Sequence, residues 1–347
     1  MSHTIRVAQT DIQFDCADGD TVLQAAKAAG YELPYSCRNG ICGSCKGKVL
    51  SGSLQNAGAG EALTPEELAS GHALFCQARP QSDIEIAVHS IERIDPNARK
   101  TVEAKIYRMT RVTDDITLLQ LRFPAGVRVK FKAGQYLHVL LDDGSRRSFS
   151  MANAPAQSDG ALLHVRHMKE GKFSGWLASG AALGDKLKVE LPFGDFRLRE
   201  AGVEAGEDPA LAARPAVFVA SGTGFAPIKS ILEDMFRRGT TTRPITLYWG
   251  GRRLQDLYMK ELPEKWAQQH AQFRFIPVLS EEVLEGVRSG LVHQAAMQDF
   301  PSLAGHEVYA CGVPAMINAA RLDFTRRCGL DPDDFHCDAF VPGEAGI

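Results

Sequence analysis

The chain has 347 residues, 44% hydrophobic and 23% charged, a composition typical of a globular protein large enough for two or three hydrophobic cores. Its net charge of −3 at pH 7 argues against a nucleic-acid-binding or membrane-surface protein. The N-terminal stretch MSHTIRVAQTDIQFDC lacks the basic and apolar segments of a signal peptide, and no apolar run is long enough to span a bilayer, so we expect a cytoplasmic protein.

Short β-like segments, TIRVAQ and IQFDC, open residues 1–95 and are followed by two short predicted helices. The first helix, TVLQAAKAA, has Asp20 or Thr21 as its N-cap and a glycine after its end. The second lies in LTPEELASG, where Thr64 is the N-cap and Glu67 completes a capping box. We interpret IERIDPNARK as the linker that ends this first domain.

Three cysteines lie close together in YSCRNGICGSCKGKV, and a fourth follows later in the first domain. The four are Cys37, Cys42, Cys45 and Cys76. The spacing C-x4-C-x2-C with a distant fourth cysteine is that of a plant-type [2Fe–2S] site. Gly40 and Gly43 permit the tight loop that such a site needs. A zinc site or a set of unrelated buried thiols is the alternative, although structural zinc favours C-x2-C pairs in twos and only one such pair occurs in this chain.

The other cysteines fit no ligand spacing. They are Cys16, Cys311, Cys328 and Cys337. In a cytoplasmic protein, thiols are kept reduced, so we predict no disulfide framework. An iron–sulfur cluster takes up one electron at a time, so we expect a second cofactor in the chain to supply it.

Alternating segments separated by Gly and Pro turns, VEAKIYRM, ITLLQLRF, QYLHVLL and ALLHVRHM, predict a small antiparallel barrel at residues 96–205. In RRSFSMANAP, Arg147 and Phe149 share one face of a strand and Ser150 lies on the other. Arginine neutralises phosphates, an aromatic ring covers a planar cofactor and serine hydrogen-bonds a ring nitrogen. Such a strand is also common without any ligand. The segment EGKFSGWL adds a predicted helix start whose backbone N–H groups could bind an anion.

After the boundary segment REAGVEAGEDPALAARP, strands alternate with helices, the pattern of a parallel α/β sheet at residues 206–347. In SGTGFAPIKS, Gly222 and Gly224 let the backbone approach a pyrophosphate at the start of a helix. Pro227 stands where a dinucleotide fingerprint has its third glycine, so a plain tight turn is the alternative. In YWGGRR, Arg252 and Arg253 occupy the place of the acidic residue that binds NAD, and arginine there accommodates the 2′-phosphate of NADP.

Several motifs together carry a resemblance that runs nearly end to end. With LPYSCRNGICGSC, SFSMANAP, LHVRH, GTGFAPIKS and DFHCDAF, the chain resembles the reductase components of Rieske-type aromatic-ring dioxygenases, especially the terephthalate dioxygenase reductases. It is also similar to the CDP-6-deoxy-3,4-glucoseen reductase that supports deoxygenation of CDP-linked sugars. The resemblance implies a multi-domain protein: an α+β ferredoxin (β-grasp) domain, an antiparallel six-stranded flavin-binding β-barrel and an α/β parallel-sheet nucleotide-binding domain.

The resemblance also implies roles for single residues. Ligands of the [2Fe–2S] cluster would be Cys37, Cys42, Cys45 and Cys76. Contacts to FAD would be Arg147, Ser148, Phe149, Ser150, Gly171, Lys172, Phe173 and Ser174. Contacts to NAD(P)H would be Gly222, Thr223, Gly224, Cys311 and Gly312, to which we add Arg252 and Arg253. The catalytic positions, beside the flavin ring or the nicotinamide, would be Ser150, Cys311 and Phe340.

Two residues depart from the family pattern. Phe149 replaces the usual tyrosine, which removes a hydroxyl from a flavin contact, and Ser221 replaces the common glycine ahead of G-T-G. The segment 200–214 is also longer than the usual link between domains.

The implied activity is electron transfer from NAD(P)H through FAD and the cluster to the terminal oxygenase of a dioxygenase. A CDP-sugar dehydratase as acceptor, a non-catalytic iron–sulfur sensor or scaffold, and a plain flavin reductase are the alternatives.

Overall fold

The computed structural model describes residues 2–58, 62–95, 97–199, 213–239 and 243–341. The chain divides into two compact units. The first comprises Met1–Ala98 together with Cys337–Ala339, and the second comprises Arg99–His336 with Phe340–Ile347. Most of the predicted boundary segment, residues 200–212, lies outside the described residues. Within the described ranges, no helix is both long enough and apolar enough to cross a membrane.

The first unit is built on a five-stranded sheet. Its strands and helices are β1 (His3–Val7), β2 (Gln13–Cys16), α1 (Val22–Ala28), β3 (Tyr31–Glu32), β4 (Lys46–Ser51), β5 (Leu54–Gln55), α2 (Pro65–Ala69), β6 (His72–Leu74), β7 (Arg79–Pro80), β8 (Ile84–Ala87) and β9 (Glu92–Arg93). The sheet order is β2-β1-β8-β4-β6, and β1 runs parallel to β8. Val22 and Ala26 of α1 pack into one buried cluster with Ile5, Phe75 and Ile86. This is the predicted α+β β-grasp domain.

Both predicted helices of this unit form, with the predicted caps. Thr21, not Asp20, caps α1 and forms a capping box with Gln24. Thr64 and Glu67 form the capping box of α2. Part of the segment interpreted as a linker forms a strand, β9, which pairs with β3. This pairing satisfies backbone hydrogen-bonding groups that a free linker would leave to water.

The predicted six-stranded barrel is confirmed in the second unit. Its elements are β10 (Lys100–Thr113), β11 (Ile116–Arg122), β12 (Tyr136–Leu140), β13 (Arg146–Ser150), β14 (Gly160–Arg166), α3 (Lys172–Ser179) and β15 (Lys186–Phe193). All neighbours in the order β13-β12-β15-β10-β11-β14 are antiparallel. A bridge between Met151 and Leu163 joins the two edge strands, so the sheet closes around an apolar interior.

The second unit also contains the predicted parallel α/β sheet. Its elements are β16 (Ala216–Ser221), α4 (Phe225–Arg238), β17 (Ile245–Gly251), α5 (Glu261–Gln269), β18 (Phe273–Leu279), β19 (Arg288–Ser289), α6 (Val292–Asp299), β20 (Glu307–Gly312), α7 (Pro314–Arg327) and β21 (Phe335–Ala339). The order is β19-β18-β17-β16-β20-β21, and the last three residues of β21 group with the first unit. Strand order reverses between β16 and β20, and in open α/β sheets such a switch point opens the ligand crevice at the carboxyl ends of the strands.

Candidate cofactor and nucleotide sites

The four predicted cluster ligands lie close together in the first unit as two pairs of thiols. The Cys42 thiol hydrogen-bonds Cys37, and the Cys45 thiol hydrogen-bonds Cys76. Among the described residues, no three His, Cys, Asp or Glu side chains gather around a single ion position. Two pairs suit a [2Fe–2S] cluster, because each of its two irons takes two thiolates.

Backbone N–H groups of the loop point at the sulfurs. Cys37 Sγ accepts from the N–H groups of Asn39 (3.4 Å) and Cys42 (3.3 Å), and Cys42 Sγ accepts from Cys37 (3.4 Å) and Ser44 (3.5 Å). The hydrogen bond from its partner thiol lowers the pKa of Cys37 to about 7, and the same holds for Cys76. The donating partners, Cys42 and Cys45, have pKa values raised by that same hydrogen bond and by burial, so each pair favours one thiolate, the ligand form, beside one protonated thiol.

The turns of this loop require the two predicted glycines. Gly40 and Gly43 have φ angles of +74° and +73°, a region that a side chain would strain. Donor set, backbone geometry and loop shape therefore all fit an iron–sulfur cluster.

Arg147, Phe149 and Ser150 lie on β13, and their side chains alternate between the two faces of the strand as predicted. Phe149 is opposite Leu137 and packs against the ring of Phe173 with centroids 5.2 Å apart. Ser150 is buried and opposite Tyr136, on the other face. Arg147 is half-buried, with its guanidinium donating to a neighbouring backbone carbonyl. The strand therefore carries an aromatic ring on one face and a buried hydroxyl on the other, the alternation predicted from the sequence.

The second predicted flavin segment begins α3. Gly171 is the N-cap residue of α3 and has no side chain. The backbone N–H groups of the first turn therefore receive no hydrogen bond from a capping side chain. Ser174 Oγ accepts from the N–H of Met168 (3.0 Å) and so shapes the turn. Lys172 lies 2.5 Å from Asp143, and this hydrogen bond holds the pKa of that carboxyl below its usual range. Phe173 is part of the barrel core, so any contact it makes with a cofactor is through its backbone.

The G-T-G loop follows β16 at the switch point, directly beside the end of β20. Gly222 has φ +52°, and its carbonyl accepts a hydrogen bond from Trp249 Nε1 (3.0 Å). Gly224 has ordinary helical angles, but a Cβ there would clash with the carbonyl oxygen of Cys311. The sequence prediction gave both glycines the same reason, the approach of a pyrophosphate. The structure gives Gly224 a different one, the close packing of two loops.

The Cys-Gly pair and Phe340 meet at this point. The N–H of Phe340 donates to the carbonyl of Gly312 (2.8 Å), and Phe340 is half-buried. Ser221 Oγ accepts from the N–H of Val313 (3.3 Å), so this departure from the family pattern joins the two loops. The Cys311 side chain is fully buried in the core of the sheet.

The two arginines of YWGGRR follow β17, as predicted. An acidic residue that the prediction missed, Asp256, accepts hydrogen bonds from the N–H groups of Arg252 (2.8 Å) and Arg253 (3.0 Å). The Arg252 side chain is 63% exposed. The same carboxylate lies 3.9 Å from the Arg252 guanidinium, so two arginines and one carboxylate leave a net positive charge at this strand end.

Sequence reasoning missed the residues that join the barrel to the nucleotide sheet. On α4, Lys229 donates to the carbonyl of Ala152 (3.0 Å) and Ser230 to that of Asn153 (2.7 Å). Both carbonyls belong to the segment after β13, so the flavin strand and the helix behind the G-T-G loop are linked directly. Lys229 and Ser230 stand inside a quoted motif, but no periodicity predicts contacts 77 positions apart.

Arg166 of β14 was also missed. It forms an ion pair with Asp115 (3.1 Å), and a Cβ on Gly222 would lie 2.9 Å from its guanidinium. A barrel residue therefore brings a positive charge to the G-T-G loop. Nearby, His164 contacts the hydroxyl of Tyr258 (2.8 Å), and burial lowers the pKa of His164 to about 3, so its imidazole is neutral.

Comparison with known proteins agrees with this geometry. A family model described as a 2Fe-2S iron-sulfur cluster binding domain matches residues 5–81. An oxidoreductase FAD-binding domain matches residues 103–198, and an oxidoreductase NAD-binding domain matches residues 218–322. The three expected cofactors, a [2Fe–2S] cluster, FAD and a nicotinamide dinucleotide, are thereby confirmed at the level of domains.

Individual relatives match over the whole chain. Reductase component 2 of terephthalate 1,2-dioxygenase from Comamonas sp. is 43% identical, covering 100% of this chain and 99% of its own. The CDP-6-deoxy-L-threo-D-glycero-4-hexulose-3-dehydrase reductase of Yersinia pseudotuberculosis is 36% identical, covering 99% and 100%. A crystal structure of an Amycolatopsis cytochrome P450 reductase is similar with a TM-score of 0.73 at 34% identity, covering 98% and 99%.

Proposed function

Because the chain belongs to the family of NAD(P)H-dependent flavin iron–sulfur reductases that supply electrons to oxygenases, we propose that its acceptor is the terminal oxygenase of a Rieske-type aromatic-acid dioxygenase, of the terephthalate kind. The proposal includes the division into a ferredoxin domain at 1–95, a flavin barrel at 96–205 and a nucleotide domain at 206–347. It also includes the site residues predicted above.

The observation that carries the electron pathway within the chain is the direct linkage of the flavin strand to the nucleotide loop, whereas the choice of acceptor is supported by the relative from Comamonas. Lys229 and Ser230 hydrogen-bond the segment after β13, and Arg166 of the barrel reaches the G-T-G loop. When bound, FAD would supply hydride acceptance and one-electron release, and a cluster held by the four cysteines would supply one-electron transfer to the partner. The protein's part is to hold the two reacting rings in one orientation.

Each group of residues has a role in that orientation. The backbone of Gly222 to Gly224, together with Arg166, would bind the pyrophosphate of the nucleotide. The loop at Cys311 and Gly312 would adjoin the nicotinamide, and Ser150 would donate a hydrogen bond to the flavin ring. Phe340 would cover the flavin face until nicotinamide displaces it.

A second acceptor, a CDP-sugar dehydratase, is supported by the reductase relative from Yersinia. Purified acceptors of both classes separate the two candidates, because only the true partner will be reduced at a rate that saturates at low concentration. Transfer to the dehydratase but not to the oxygenase would refute the proposed partner.

We place the protein in the cytoplasm. None of the eight cysteines, all of which lie within the described ranges, forms a disulfide, and a reducing compartment preserves such thiols. Measuring the distribution of the protein between cytoplasmic and other cell fractions tests this.

Anaerobic titration of the purified protein with NADH or NADPH tests the electron pathway. We expect flavin and iron–sulfur absorbance to bleach together, with about three electrons taken up, two by one flavin and one by one [2Fe–2S] cluster. Bleaching of the flavin alone would contradict the pathway, and purified protein without flavin would instead support the sensor or scaffold.

The exposed arginines after β17 predict a preference for NADPH. Replacing both, Arg252→Ala with Arg253→Ala, should raise the KM for NADPH about tenfold, roughly 1.4 kcal/mol of binding, and change that for NADH less than about twofold. The matched control replaces two neighbouring arginines at the end of α4, Arg237 and Arg238, and should change neither. An equal effect on both nucleotides would mean that these arginines do not bind the 2′-phosphate.

A further inference from the structure

Two residues near the end of the chain hold the cluster loop, which we define as residues 36–45. They are Cys337 and Asp338, named here the bracket, and they belong to the first unit. The hydroxyl of Ser36 donates a hydrogen bond to the Asp338 carboxylate. The Cys337 thiol donates to the carbonyl of Cys42 (2.7 Å), and the hydroxyl of Ser44 donates to the carbonyl of Cys337 (3.1 Å).

These contacts reach three of the four proposed ligands. Ser36 precedes Cys37, Ser44 precedes Cys45, and the carbonyl that accepts from Cys337 is that of Cys42 itself. The bracket therefore fixes the loop at both of its ends and near its middle. Neither bracket residue was assigned a role from sequence, where Cys337 fitted no ligand spacing.

The contacts are shielded from water. The exposed fractions are 5% for Ser36, 2% for Cys337 and 6% for Asp338. A buried carboxylate is costly unless hydrogen bonds satisfy it, and here a hydroxyl from the loop does so. In such a site a charge acts over a longer range than at a surface, because little solvent screens it.

We propose that the bracket positions the cluster loop and that the Asp338 carboxylate lowers the reduction potential of the cluster bound there. The inference rests on the proposed ligation by the four cysteines. Reduction adds one negative charge to the cluster, and a fixed negative charge beside the loop disfavours that addition. Hydrogen bonds and charges around the ligands are the means by which proteins tune such potentials. Asp338 acts as a positioning and tuning residue and is not a ligand.

The test is a redox titration of the full-length protein loaded with cluster, followed by the electron paramagnetic resonance signal of the reduced cluster. Asp338→Asn keeps the shape of the side chain and removes its charge. At a fixed ambient potential, we expect about a tenfold higher ratio of reduced to oxidised cluster, equal to about 59 mV for one electron. Ser36→Ala keeps the Asp338 charge but removes the hydroxyl that donates to it, so this variant should increase the rate of cluster release. The control is Asp83→Asn, another carboxylate of the same unit that accepts from a backbone N–H at the exposed edge, and it should change neither property.

An unchanged potential in Asp338→Asn, with the cluster still bound, would overturn the tuning role. Should that variant fail to retain a cluster, Ser36→Ala decides: an unchanged rate of cluster release would overturn the positioning role and with it the inference. Wild-type protein that binds no [2Fe–2S] cluster would instead overturn the proposed function, so the two failures are distinguishable.

Discussion

Replacing Cys42 with alanine is expected to abolish electron transfer to the protein acceptor while leaving reduction of the flavin by NAD(P)H within about twofold of wild type. The substitution leaves one iron with a single protein thiolate. Loss of an outer-sphere partner alone weakens a metal site about 10–100-fold, so loss of a ligand should reduce transfer by at least about 100-fold. Stopped-flow absorbance at the flavin band and acceptor turnover measure the two steps separately.

The matched control is Cys16→Ala. Cys16 is as buried as Cys42 and lies in the same unit, but it packs in the apolar core. Its thiol donates to the carbonyls of Ala17 and Asp20, which lie outside the cluster loop. Cys16→Ala should leave both the reduction of the flavin and the electron transfer to the acceptor unchanged. Full turnover of the acceptor by Cys42→Ala would show that electrons reach the partner without the cluster, as in a plain flavin reductase.

Replacing Gly224 with alanine is expected to slow hydride transfer from the nucleotide about 100-fold, a barrier increase of about 2.7 kcal/mol. The backbone angles of Gly224 suit any residue, so the effect comes from the clash between the new methyl group and the carbonyl of Cys311. The methyl group and the carbonyl are both attached directly to the backbone, so the clash can be relieved only if one of the two loops moves. Either movement would displace the nucleotide site. Reduction of the flavin by NADPH in single-turnover experiments measures the rate.

The control for this variant lies at the other end of the same helix. Gly239 has φ +63° and open space around it, and asparagine tolerates that conformation, so Gly239→Asn should leave hydride transfer unchanged. Chemical reduction of the cluster and its reoxidation by the partner should be normal in both variants. A normal rate of flavin reduction in Gly224→Ala would show that the packing of these loops does not position the nicotinamide.

Local chemistry in the sequence predicted much of the fold. Capping residues, glycines at turns and alternating strands act over a few positions, so Thr21, Thr64 and the strand with Phe149 were placed correctly. The four thiols could be grouped because spacing alone identifies a plant-type cluster.

Contacts between distant segments could not be predicted from one sequence. The reach of Arg166 to the G-T-G loop, the hydrogen bonds of Lys229 and the engagement of Asp256 depend on how elements pack, and no local pattern encodes that. The same is true of the contacts of Cys337, which fitted no ligand spacing. The sequence was therefore sufficient to propose the site residues themselves. The residues that contact and position them were found only from the tertiary packing.

The bracket has a consequence for how the protein is made. Ser36 and Asp338 are 302 positions apart. At translation rates of about 5–20 residues per second, roughly 15–60 s separate the synthesis of the loop from that of its bracket. During that interval the loop carries Cys37, Cys42 and Cys45 without these three hydrogen bonds. The bracket can therefore form only once β21 has been synthesised, long after the loop that it holds.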